Sequence, residues 1–131
     1  MIEEYFDALE KTLRDFPVIQ TYTLTKKTYN IYQGYVAGKV IFENGFSLQF
    51  VEVMDVEIGR KIKYRYHCMD TGQELVFRYD NAPHHPEVDT FPHHKHVLEH
   101  IEASGEPSLY SVLLEILRII KKEGSGMGSS A

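Results

Sequence analysis

The sequence predicts an α+β domain: one antiparallel β-sheet, a meander of about four to six strands, with a helix from each end of the chain packed on it. Three observations predict it. Apolar residues recur at helical spacing near both termini, first in Ile2, Tyr5, Phe6, Leu9 and Leu13, then in Leu109, Val112, Leu113, Ile116, Leu117 and Ile120. Between these stripes the apolar period falls to two. The links between the alternating runs are too short for a crossover helix, so successive strands run antiparallel.

The first helix covers 1–16, and Pro17 ends it. Val18–Leu24 reads as a short strand or edge segment. Asn30–Phe42 follows, rich in Tyr, Ile and Val, with Gly34 and Gly38 as candidate bulge positions. Glu43-Asn44-Gly45 is a hairpin signal, and Phe46–Met54 is the return strand. Lys61–Cys68 has the cleanest alternation in the chain. Asp70-Thr71-Gly72 supplies the next turn and Gln73–Tyr79 the next strand. Val97–Ala103 fits neither period clearly. Ser108 is an N-cap for a helix over Leu109–Lys122, and Gly124 is its expected stop. Leu114 and Ile119 widen that helix's apolar face beyond what one sheet needs, as core or as a partner's seat. Residues 1–123 thus form one domain, and 124–131 read as a flexible Gly/Ser-rich tail of the appended-linker kind.

Bulk properties exclude several classes. The 131 residues include 43% hydrophobic and 25% charged residues, which suits one globular core. The single cysteine, Cys68, has no partner for an intramolecular disulfide, and a reducing cytoplasm is the expected compartment. No apolar run is long enough to cross a bilayer. Glu3, Glu4 and Asp7 argue against a secretory leader. A net charge of −5 argues against non-specific nucleic-acid binding by the whole surface.

The chemistry concentrates between Arg78 and His96. Five of the seven histidines lie there, His84, His85, His93, His94 and His96, among Arg78, Asp80, Asp89 and Lys95. Pro83, Pro86 and Pro92 predict a stiff, extended loop. Imidazole exchanges protons near neutral pH and ligates metals when neutral. Three chemistries fit. In metal-independent RNA cleavage, one neutral histidine takes the 2′-hydroxyl proton, a second protonates the leaving oxygen, and a cation steadies the phosphorane. Arg78, His84, His85, His94, Lys95 and His96 supply those groups, with Asp80 orienting a histidine. In a metal site, His94 and His96 share one side of an extended segment, and His85 or Asp80 completes the set for a divalent ion. No recognised zinc spacing is present. In the third, the loop only binds a partner.

Lys61, Lys63, Arg65 and His67 alternate with apolar residues on the cleanest strand, a cationic stripe at about 6.5–7 Å spacing that is able to track a nucleic-acid backbone. Glu52 interrupts an apolar strand face, so it either has a structural partner, with Arg78 as the candidate, or marks a site.

These stretches carry a resemblance. Tyr64-Arg65-Tyr66-His67, then Phe77-Arg78-Tyr79-Asp80-Asn81-Ala82-Pro83-His84-His85-Pro86, then Phe91-Pro92-His93-His94-Lys95-His96 resemble the TumE family of toxin–antitoxin proteins. The Glu43-Asn44-Gly45 turn with Leu48 and Glu52 is similar to the family's hairpin, and the likeness covers roughly 30–120. It implies a small cytoplasmic toxin paired with a cognate antitoxin that carries a helix-turn-helix DNA-binding part. It does not assign the toxin's chemistry. Together with the histidine block it leads to the expectation of an endoribonuclease that needs no cofactor. A metal-dependent nuclease or phosphoesterase, and a non-catalytic module that blocks a cellular target, stand as alternatives. A homodimer is compatible with either.

Overall fold

The computed structural model describes the backbone of residues 1–129 and the side-chain surroundings of residues 1–124. Helix α1 (Ile2–Asp15) precedes seven strands: β1 (Ile19–Thr28), β2 (Gln33–Phe42), β3 (Ser47–Asp55), β4 (Arg60–Met69), β5 (Leu75–Asp80), β6 (His94–Val97) and β7 (His100–Ala103). Helix α2 (Leu109–Ser129) closes the chain. The strands form one antiparallel sheet in sequence order, β1 to β7. The class and topology are as expected. The count exceeds the expected range because the end of the expected histidine loop forms β6, His94–Val97, and the ambiguous Val97–Ala103 segment adds β7 to make a short hairpin. Helix α2 also runs past Gly124, its expected stop, and part of the expected 124–131 tail, Ser130 and Ala131, lies outside the described residues.

Register assigns two faces. Leu24, Gly38, Phe50, Tyr66, Tyr79 and Lys95 are successive cross-strand partners and share one face. That face takes both helices. Ile2, Phe6, Leu9 and Leu13 of α1 and Leu109, Val112, Leu113 and Ile116 of α2 are buried with Val36, Val40, Leu48, Phe50, Tyr66, Cys68 and Phe77. Burial of such side chains, at about 25 cal/mol per Å² of apolar surface, is what holds the layers together. Leu114 is half-buried and lines a shallow groove with Leu117, Phe16 and Pro17, while Ile119 packs on the core.

Two expectations on this face are corrected. Gly34 and Gly38 are not bulges, because β2 keeps unbroken register with β3. They allow close approach: a Cβ at Gly34 would sit 2.6 Å from Phe6, and one at Gly38 would sit 2.5 Å from Phe50. Glu52, fully buried, does not pair with Arg78. It accepts hydrogen bonds from the hydroxyls of Tyr5 and Tyr66, the latter at 2.5 Å. Arg78 lies on the other face. Burial and the Glu52 charge hold both phenols protonated.

Candidate functional site

The helix-free face carries the chemistry. Two adjacent rows of cross-strand partners cross β3 to β6 there: Gln49, His67, Arg78 and His96 in one, Val51, Arg65, Asp80 and His94 in the next. Residues 80 and 94 are therefore brought together by pairing of β5 with β6, as are 78 and 96. Helices cover the opposite face, so polar side chains here are free to point outward.

Asp80, almost fully buried, is the hub. Its Oδ1 lies 2.8 Å from His94 Nε2 and accepts the Ala82 N–H at 3.0 Å; its Oδ2 accepts from Arg78 Nε at 3.1 Å and lies 3.5 Å from His96 Nε2. The Ala82 contact is the Asx turn that ends the strand, so turn-making and histidine-orienting coexist in one carboxylate. His94 Nδ1 faces the Pro92 carbonyl at 2.9 Å. A neutral imidazole carries one N–H, yet both His94 nitrogens face acceptors. A second proton, or another cation, must stand between His94 and Asp80 for both contacts to be favourable.

His96 is different. Its Nε2 lies 3.0 Å from Arg78 Nη2, and a guanidinium only donates, so this nitrogen keeps its lone pair. Burial, then the Arg78 charge, holds His96 below the usual histidine range, with Asp80 opposing. Burial, Arg78 and Arg65 lower His67 in the same way. His85 arrives from the loop. Its ring lies 5.0 Å from His94 and 5.5 Å from His96, and its Nδ1 meets Glu87 at 3.1 Å. His85, His94 and His96 each place one ligand atom within 4.8 Å of the others, so these three are able to hold an ion.

The loop, 81–93, is compact rather than extended. Bonds from His84 N to the Ala82 carbonyl, Val88 N to His85, Phe91 N to Val88 and His93 N to Thr90 fold it into successive turns. Prolines restrict their neighbours, and here the restriction serves turns. The Phe91–Pro92 peptide is cis. Three residues to which the sequence assigned no role anchor it. Asn81 accepts from the Tyr64 N–H at 3.0 Å and donates to the Ile62 carbonyl at 3.1 Å. Tyr64 stacks on His93 and their polar atoms meet at 2.8 Å. Thr90 Oγ1 donates to the His93 carbonyl at 2.6 Å and accepts from the Ser104 N–H at 2.8 Å. Only Glu87, two residues from His85, leaves a sequence signal.

A cleft of about 610 Å³ opens between loop and sheet, lined among others by Ile62, Lys63, Arg65, Arg78, Asp80, His84, His85, His94 and His96. Two expected members of the site are elsewhere. Lys95 alternates with His94 and His96, so it points to the helix face, where Nζ bonds Glu115 at 2.7 Å and lies over Phe77 and Tyr79. Lys61 is buried and bonds the Pro107 carbonyl at 2.8 Å. A bulge explains it: Val53 pairs Lys63 but Met54 pairs Lys61, so Ile62 is an extra residue and parity reverses before it. The cationic stripe is therefore Lys63 and Arg65, both exposed, continued by half-buried His67. His84 lines the cleft, exposed and outside the three-histidine cluster. Cys68 is buried on the helix face, and burial pushes its thiol up to about 12, which makes it a packing group rather than a nucleophile.

The model of one protein family, toxin TumE, matches residues 9–123. The chain belongs to the TumE toxin family. The match reaches back into α1, beyond the stretch where the resemblance was carried by motifs, and it includes every residue of the histidine cleft. Membership makes the chain the toxin component of a toxin–antitoxin system and implies a cognate antitoxin. No curated protein and no solved structure matches the chain. Among the described residues, no helix is long and apolar enough to cross a membrane.

Proposed function

We propose that this TumE toxin is an endoribonuclease acting in the cytoplasm, with the histidine cleft as its active centre. The observation that carries the reading is the pairing of unlike imidazoles. His96 keeps a lone pair beside a guanidinium, while His85 stands 5.5 Å away with its Nδ1 on a carboxylate. In this reading His96 Nε2 takes the proton of a ribose 2′-hydroxyl and O2′ attacks phosphorus. The bond from phosphorus to O5′ breaks, and protonated His85 gives O5′ its proton. The products are a 2′,3′-cyclic phosphate and a 5′-hydroxyl end. Arg78 shifts from His96 to the phosphorane oxygens, where its charge is most valuable. His94 and Asp80 hold the ring planes and the Arg78 fork. Lys63 and Arg65 guide the flanking backbone. No ion enters the cycle.

The partner reading follows the family: an antitoxin with a helix-turn-helix part that silences the cleft by laying acidic groups over Lys63 and Arg65. The test is cleavage of total RNA by purified protein in excess chelator, with end-group analysis. His85→Ala and His96→Ala are each expected to lower the rate by about 10²–10⁴-fold, the usual contribution of a general acid or base. Folded variants that cleave at wild-type rate would remove the cleft from the mechanism. A wild-type protein with no turnover on RNA would instead make the chain a module that blocks its target by binding.

A further inference from the structure

We infer that His85, His94, His96 and Asp80 also form a binding site for one late first-row divalent ion of the Zn²⁺ class, and that the ion switches the toxin off. Three imidazoles from two segments already offer one nitrogen each within 4.8 Å of one another. Small movements bring such a set onto an ion at about 2.0–2.1 Å per ligand, and His85 sits on a loop rather than a strand. The outer nitrogens are already tied: His94 Nδ1 faces the Pro92 carbonyl at 2.9 Å and His85 Nδ1 faces Glu87 at 3.1 Å. That arrangement fixes the ring orientation and raises the basicity of the inner nitrogen, as outer partners of metal-bound histidines do. The 2.8 Å contact of His94 Nε2 with Asp80 Oδ1 needs a cation within it, and two ligands of one ion meet that need as well as a proton does. Imidazole and carboxylate together favour Zn²⁺, Co²⁺, Ni²⁺ or Cu²⁺ over Mg²⁺ or Ca²⁺, which prefer all-oxygen sets.

One group opposes the ion. Arg78 stands 3.0 Å from His96 Nε2, so it must leave when the ion enters; its side chain is 35% exposed, which leaves it a path into solvent. The site therefore has a signature that a chance cluster of surface imidazoles lacks: removing a cation strengthens it. The effect on activity rests on the ribonuclease reading, since a histidine whose lone pair is on a metal takes no proton from a 2′-hydroxyl. The existence of the site does not rest on it.

The full chain, stripped with chelator, is titrated with Zn²⁺ by calorimetry and with Co²⁺ by visible absorption. The expected result is one ion per chain with Co²⁺ ligand-field bands. His85→Ala and His96→Ala should each weaken binding by at least about tenfold, a loss that even an outer partner of a ligand brings. Arg78→Gln should tighten it, and His100→Ala, an exposed imidazole on β7, should leave it unchanged. No stoichiometric binding, or equal binding by the His85→Ala and His96→Ala proteins, overturns the site. RNA cleavage is followed in the same samples. Loss of cleavage at one equivalent of Zn²⁺ supports the switch, and cleavage that requires Zn²⁺ overturns both the switch and the ion-free cycle. Absence of cleavage in every sample ends the ribonuclease reading and the switch, and calorimetry still decides the site.

Discussion

Replacing Asp80 by asparagine keeps the side chain's shape and removes its charge. Oδ1 serves the Ala82 N–H and His94, and Oδ2 serves Arg78. An amide oxygen is able to keep the first pair, but the NH₂ group then faces the Arg78 N–H, donor against donor. A hydrogen bond to a charged group contributes about 1.5–3 kcal/mol. The Arg78 bond is partly screened, since that side chain is 35% exposed, and counts at the low end. The amide oxygen keeps the buried 2.8 Å contact with His94 but without its charge, so that contact counts at the low end as well. Together they predict a loss of about 2–3 kcal/mol and a melting midpoint lower by about 10 °C for a domain of this size. Because Asp80 exchanges no proton and bonds no RNA atom in the proposed cycle, and acts through Arg78 and the two imidazoles, kcat should fall by about 10–100-fold, as when an outer partner is lost, with KM little changed. Thermal melting and single-turnover cleavage of a short RNA, both in chelator, measure the two effects. A variant that melts early but cleaves within about twofold of wild type would show that Asp80 only staples the loop and does not orient the catalytic rings.

Tyr5→Phe removes one of two phenolic bonds to Glu52 and should cost about 1.5–3 kcal/mol in denaturant unfolding, with RNA cleavage unaffected, because Glu52 lies on the helix face. The double variant Lys63→Ala, Arg65→Ala should weaken RNA binding and lower its salt slope by up to about one to two units; an unchanged slope would make that face a solvated surface only. Lys61→Ala should leave the slope alone and lower the melting midpoint, since its bond is to the Pro107 carbonyl. Burial and Arg78 depress His96, so its neutral, proton-accepting form persists at lower pH than in a free histidine. The acid limb of kcat/KM, measured in chelator, should therefore fall below the ordinary value of about 6.5, and Arg78→Gln should move the limb up.

Periodicity was enough for the class, the meander and both helices, because a two-residue or 3.6-residue apolar repeat reports which face a segment buries. It was also enough to single out Arg78, Asp80, His85, His94 and His96, since residues of one chemistry crowded into a short stretch are visible without coordinates. The Glu43-Asn44-Gly45 turn was legible for a local reason: Gly45 takes φ +94°, open to glycine at little strain.

Parity and partnership were not legible. Lys61 left the cationic stripe because a single bulged residue, Ile62, reverses every side chain before it, and a bulge depends on the neighbouring strand. Lys95 left the catalytic set because the four-residue β6 turns its odd position toward α2, where Glu115 receives it. Glu52 found two tyrosines from distant segments in place of Arg78. The sequence determined which groups the protein has for its chemistry. Tertiary structure decided which of them meet, because strand register and the packed helix layer, both long-range properties of the chain, set the face on which each side chain emerges.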